Sequence, residues 1–142
     1  MVLFHCAALF VWGLSTLFVF QLIQTGWYGV VLGYEAWEYE KPPNLIMLSR
    51  HTRTAKLSVR TMVLAVLAIE GVRVVLKLPY IPFFGAVHLP ILVLFALFLL
   101  LTFMFNGKAW RRTHKFFAVP TLLFGIATVM TGDILVYRLL WL

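Results

Sequence analysis

Acidic residues and cysteines are scarce in this chain. Only five of its 142 residues are Asp or Glu, and Cys6 is the single cysteine. One cysteine cannot form an internal disulfide, which excludes a disulfide-stapled secreted domain. Charged residues of both signs make up 12% of the chain, about half the share found in an average soluble protein. This shortage of charge argues against a disordered chain and against an ordinary soluble enzyme.

Apolar residues take the place of the missing charge. They form 63% of the chain, and the mean hydropathy is +0.96. A soluble domain of this length buries only about two-thirds of its surface and could not hide so many apolar side chains. In so apolar a chain, the net charge of +7 indicates positive residues that orient the helices beside anionic lipid, rather than residues that bind nucleic acid. We predict a membrane protein whose main partner is the lipid bilayer, with no nucleic-acid partner.

Four apolar segments are long enough to cross a bilayer, which takes about 20 residues. They cover residues 2–23, 57–78, 84–105 and 116–142. Pro79 and Pro82 separate the second segment from the third, because proline ends or kinks a helix. Asn106 and Gly107 separate the third from the fourth. The expected fold is all-α: a single transmembrane domain over residues 1–142, built as an integral-membrane four-helix bundle.

The first segment has no basic residues before it and no small-residue cleavage site after it, so it is predicted to be a span rather than a signal peptide. Between it and the second span lies a polar stretch, residues 24–56. Its first part mixes three glycines with five aromatic residues: Gly26, Gly29, Gly33, Trp27, Tyr28, Tyr34, Trp37 and Tyr39. Such aromatics favour the headgroup level, so we predict an interfacial collar or a short re-entrant segment. A pocket for a quinone head group is the alternative.

Basic residues are unevenly divided between the two ends of the predicted spans. Nine of the twelve fall in or beside the connections between spans one and two and between spans three and four: Lys41, Arg50, Arg53, Lys56, Arg60, Lys108, Arg111, Arg112 and Lys115. We call this end the basic side. Because basic residues are retained in the cytoplasm, both termini are predicted on the non-cytoplasmic side of a bacterial inner membrane.

The four histidines sort into two pairs by predicted depth. His51 and His114 fall on the basic side, whereas His5 and His88 fall on the opposite side. A low-spin haem takes one imidazole on each face of its iron, from facing helices at the same depth. The order therefore predicts one or two haem b sites, His51 with His114 and His88 with His5. Histidines without a ligand are the plainer alternative, and imidazole would serve copper as well as haem.

Charged residues inside the spans form a second pattern. Glu70, Arg73 and Lys77 lie on one face of span two, and Asp133 lies in span four. A charge at depth is costly and usually faces a partner inside the protein. We predict an intramembrane charge cluster of Glu70, Arg73 and Asp133 that fixes helix register. Alternatives are a proton route, a small transporter, or Arg73 and Lys77 holding the propionates of a haem on His88.

No motif indicates that the chain is an enzyme by itself. The sequence has no paired carboxylates at catalytic spacing, no Cys/His zinc spacing, no nucleophile elbow and no glycine-rich nucleotide loop. Hydrolase and kinase chemistry therefore have no support.

Four short stretches follow one another from about Ser49 onward: RHTRTAKLSVRTMVL, HLPILVLFALFLLLTF, WRRTHKF and the TG of VMTGDILVY. In this order they resemble the CtaM/YozB-like family of small four-span bacterial membrane proteins. The resemblance implies a link to the biogenesis or operation of haem–copper terminal oxidases, with His51, His88 and His114 as candidate ligands. The last span departs from the family pattern, since it lacks an aromatic-rich stretch before the TG and places Asp133 after it. The residues before Ser49 are not matched.

Two functional hypotheses follow from these patterns. The first is a haem-binding membrane component of a bacterial respiratory chain that transfers electrons near a terminal oxidase or the quinone pool. The second is a non-redox accessory subunit or assembly factor of a haem–copper oxidase or another large membrane complex. Bound haem in the isolated chain distinguishes the first from the second.

Overall fold

The computed structural model describes residues 2–38, 44–75, 77, 82, 84–105 and 111–140. They form four α-helices and one short π-helix: α1 (Val2–Glu38), α2 (Leu45–Val75), π-helix (Phe84–His88), α3 (Leu89–Met104) and α4 (Arg111–Leu140). No strand occurs within these ranges, and the all-helical prediction is confirmed. The predicted breaks at Pro79 and at Asn106-Gly107 lie outside the described residues, as do Lys41 and Lys108.

The first helix continues well past the predicted end of span one. Residues 24–38, expected to form a separate interfacial segment, are the last turns of α1. No proline occurs between residues 2 and 38, so nothing interrupts the helical hydrogen bonds. The glycines lie at close contacts with neighbouring helices rather than in a turn: a Cβ at Gly26 would lie 3.3 Å from Leu122 Cδ2 of α4.

Three helices are long and apolar enough to cross a membrane, over His5–Gly33, Gly85–Met104 and Arg112–Ile134. This agrees with the prediction of a membrane protein. Large apolar side chains point outward on all of the helices, including Phe20, Leu64, Leu100 and Leu123, as expected for surfaces in contact with lipid rather than water. The second helix is not among the three candidates, because Lys56, Arg60, Glu70 and Arg73 divide its apolar run.

The helices pack in the spatial order α2, α1, α4, α3. The first helix lies against α2 and α4, and α4 lies against α3, whereas the described backbones of α2 and α3 do not approach each other. The core is formed by Phe18, Leu22 and Phe95. The Phe18 and Phe95 rings meet edge to face, with centroids 5.9 Å apart, which ties α1 to α3. The ends of the four helices on the basic side lie near one another.

Candidate functional site: a histidine pair

His51 and His114 lie side by side at the basic-side end of the helices. His51 is in the second turn of α2, and His114 is in the first turn of α4. Their ring centroids are 6.2 Å apart, and the ring planes are inclined by 79°. The structure thus brings together two histidines that are 63 positions apart in the sequence.

A backbone carbonyl fixes the orientation of each ring. His51 Nδ1 lies 2.9 Å from the Thr25 carbonyl oxygen of α1, and His114 Nδ1 lies 3.0 Å from the Thr102 carbonyl oxygen of α3. A carbonyl can only accept a hydrogen bond, so each Nδ1 must carry the proton and donate it. The lone pair of each neutral ring is therefore on Nε2. All four helices contribute to the arrangement of this pair.

The separation of the two rings matches the spacing expected when both bind one metal centre. Two imidazoles bound to opposite sides of one ion at about 2 Å each have ring centroids about 6 to 6.5 Å apart. The observed 6.2 Å falls in that range. Donation of the other ring N–H to a backbone carbonyl is the usual support for a metal-binding histidine. In the part of the chain that the structure describes, no group of three or more His, Cys, Asp or Glu could hold a metal ion. A haem iron takes only two ligands from the protein.

Two glycines of α1 shape the space beside the pair. A Cβ at Gly29 would lie 3.4 Å from His51 Cε1, and a Cβ at Gly33 would lie 3.1 Å from Lys115 Nζ. Larger side chains at these positions would displace the imidazole and the ammonium. Sequence reasoning assigned these glycines to an interfacial segment or a quinone pocket and did not connect them with the histidines. Their spacing of one helical turn was the available signal.

The pair lies in a region that disfavours added positive charge. Burial lowers the pKa of His51 below its ordinary value of 6.5, the carbonyl of Thr25 raises it in part, and the charge of His114 lowers it further. Burial dominates because a charged ring loses its hydration there. His51 therefore stays neutral at neutral pH, which is the form that binds a metal.

His88 is oriented in a comparable way on the opposite side. It is buried, and its Nδ1 lies 2.8 Å from Thr131 Oγ1. The Thr131 hydroxyl donates to the Ala127 carbonyl at 2.8 Å, so it accepts the Nδ1 proton of His88. Gly132 leaves room for the ring, since a Cβ there would lie 3.3 Å from His88 Cε1. The π-helix ends at His88, and such segments often occur at functional sites.

His5 lies at the exposed beginning of α1. Its pairing with His88 stays a prediction. Lys77 is exposed in the turn after α2, with a left-handed backbone (φ 53°). The role predicted for Arg73 and Lys77 as propionate partners also stays a prediction.

The predicted charge cluster divides into an ion pair within α2 and a separate contact between α4 and α1. Arg73 Nε lies 2.8 Å from Glu70 Oε2, one turn apart within α2. The carboxylate of Asp133 instead faces the Ser15 hydroxyl and the Trp12 indole N–H of α1. Glu70 and Asp133 thus each have a polar neighbour in the protein, as expected for charges among apolar helices.

Comparisons with protein-family models, with curated proteins and with solved structures find no match to this chain. The resemblance to the CtaM/YozB-like family stays a prediction.

Proposed function

We propose that this chain is a haem-b-binding component of a bacterial respiratory chain, which transfers electrons near a terminal oxidase or the quinone pool. The observation that carries the proposal is the pair of oriented imidazoles, His51 and His114, at a centroid separation of 6.2 Å. Both Nδ1 atoms are bound to backbone carbonyls, so both Nε2 atoms are the ligating atoms. The pair is a site with two protein ligands, as a low-spin haem requires.

The chain's own residues would hold the haem and control its surroundings. His51 and His114 would bind its iron through their Nε2 atoms, and the carbonyls of Thr25 and Thr102 hold the rings in their orientations. A bound haem would supply reversible one-electron exchange between ferric and ferrous iron. With two imidazole ligands from the protein, the site would favour electron transfer over oxygen chemistry. The chain is then a carrier rather than an enzyme by itself.

The proposed topology is a four-helix bundle in the bacterial inner membrane, with α2 as the fourth span. Support comes from the antiparallel contact of α2 with α1, including a 2.8 Å hydrogen bond from Thr61 Oγ1 to Gln21 Oε1. The ion pair of Glu70 and Arg73 lowers the cost of placing both charges at depth. With the basic side in the cytoplasm, both ends of this chain lie on the opposite face.

A second haem would involve His88, with His5 as the other ligand and Arg73 and Lys77 as propionate partners. The buried and oriented imidazole of His88 supports this part of the proposal. It requires that the first turn of α1 bring His5 to the level of His88.

Replacement of the ligands tests the proposal. Chain purified from a haem-producing bacterium should carry one or two haems per polypeptide. His51→Ala and His114→Ala should each abolish the low-spin spectrum of the basic-side haem and weaken its binding, because a single imidazole leaves the iron five-coordinate. Thr52→Ala is the matched control, since Thr52 is exposed beside His51 and donates to the Leu48 carbonyl of its own helix. An unchanged low-spin spectrum in both histidine variants would contradict the proposal.

The alternative function is a non-redox accessory subunit or assembly factor of a haem–copper oxidase or another large membrane complex. It is favoured by the open side of the molecule, where the described backbones of α2 and α3 do not approach each other. A helix of a larger complex could contact the exposed apolar side chains there. A colourless, folded chain that co-purifies with an oxidase would support this alternative over an electron carrier.

A further inference from the structure

The described side chains of the helix segments that hold the histidine pair carry charge of one sign only. The groups that contact the two rings belong to residues 21–33 of α1, 45–60 of α2, 95–105 of α3 and 112–123 of α4. These segments contain six basic residues and no acidic residue: Arg50, Arg53, Lys56, Arg60, Arg112 and Lys115. The pair itself is neutral in the form that binds a metal. The region therefore has an excess of positive charge with nothing in these segments to offset it.

This excess distinguishes between two kinds of occupant. A bare divalent cation would add two positive charges to a region where only neutral imidazoles could bind it, and like charges repel most strongly where water is excluded. Metal sites for such ions usually include carboxylates or thiolates that offset the charge. A metal group that carries its own carboxylates would instead be attracted by the surrounding cations.

One of the six cations is placed close to the pair by the fold. Lys115 follows His114 in the chain, and its Nζ lies over α1 at Gly33, 3.1 Å from where a Cβ would be. Gly33 is one turn, about 6 Å, from Gly29, the residue that contacts the His51 ring. The ammonium is therefore about one helical turn from the pair.

We infer that Lys115, held over Gly33, binds a carboxylate of the group that His51 and His114 coordinate, and that the site selects an anionic metal macrocycle over a bare divalent ion. For a haem, that carboxylate is a propionate. The inference rests on the proposed function and adds to it a charge-based selectivity and a residue responsible for it. The absence of a side chain at Gly33 provides the space for the contact.

A comparison of haem with its dimethyl ester distinguishes binding through a free carboxylate from binding through the iron and ring alone. The ester has the same iron and ring but no free carboxylates. The purified full-length chain, freed of haem and kept in lipid nanodiscs, is titrated with each compound, and binding is followed by the Soret band. The wild-type chain should bind haem about five- to ten-fold more tightly than the ester, the gain of one partly exposed charge-assisted contact. Zn²⁺ should not compete with haem for the site.

Lys115→Gln should weaken haem binding by the same factor and leave binding of the ester unchanged. Lys56→Gln is the matched control: it is exposed on α2, and five residues after His51 it points about 140° away around the helix. It removes the same single charge from the region without a contact to the carboxylate, so it should weaken haem binding much less than Lys115→Gln does. Equal binding of haem and ester by the wild-type chain, or equal weakening of both by Lys115→Gln, would overturn the inference and leave the haem proposal standing. Binding of neither compound would overturn the proposed function itself.

Discussion

At the scale of single residues, the proposed haem site consists of His51 and His114 together with the groups that hold the two rings in place. A histidine near a membrane surface is common, whereas these two rings are held in fixed orientations, because their Nδ1 atoms donate to carbonyls of α1 and α3. Burial also lowers the pKa of His51 in the folded chain. As the pH falls below the ordinary value of 6.5, the unfolded chain takes up a proton that folded His51 resists, so the free energy of unfolding decreases.

Gly29 gives a direct test of this arrangement. In Gly29→Leu the new side chain would extend into the His51 ring, because even a Cβ would lie 3.4 Å from His51 Cε1. We expect haem content to fall at least several-fold while the helical circular dichroism is retained. Gly13→Leu in the same helix is the matched control, since a Cβ there meets nothing within 4 Å. Equal haem content in the two variants would argue against the close approach of α1 to the pair.

At the scale of helices, α1, α3 and α4 meet around Gly125, which leaves less room for a Cβ than any other described glycine. A Cβ at Gly125 would lie 2.6 Å from Leu22 Cδ2 and 3.0 Å from Phe95 Cε2. Phe95 is only 1% exposed, so its ring has little room to move. This contact holds α3 against α1 and so fixes the distance between Thr25 and Thr102, which orient the two histidines.

Gly125→Ala should therefore destabilise the fold by about 1–3 kcal/mol, the usual cost of overpacking a core. The measurement is unfolding in mixed detergent micelles followed by circular dichroism. Gly71→Ala in α2 is the matched control, because a Cβ there meets nothing within 4 Å. It should raise stability by up to about 1 kcal/mol, as alanine is the better helix former. A neutral effect of Gly125→Ala would mean that α1 and α3 are less closely packed around α4.

The helices show what the sequence could and could not predict. Apolar runs and their length indicate helices over most of the chain, and the division of basic residues indicates which ends lie together. The continuation of α1 through residues 24–38 was missed, because glycines mixed with aromatics also occur in interfacial loops. The contacts of Thr25 and Thr102 were not predictable either. They depend on how far each helix is rotated about its axis, which packing decides and local pattern does not.

At the scale of the whole molecule, the fold places the proposed haem site at the basic side. The described helices meet in the order α2, α1, α4, α3, and both histidines of the pair lie at one end of them. Positive charge at that end would orient the chain in the membrane and, through Lys115, attract an anionic cofactor. The same end would face the cytoplasm, and a partner with an acidic surface could dock there to exchange electrons.

Electron paramagnetic resonance of the oxidised, purified chain tests the central claim most directly. The ring planes of His51 and His114 are inclined by 79°, and their Nδ1 contacts would keep them so when iron is bound. We expect the strongly anisotropic low-spin ferric signal typical of nearly perpendicular axial imidazoles, lost in His51→Ala and in His114→Ala. A folded chain that shows no low-spin haem signal, or one whose signal persists in both variants, would contradict the account.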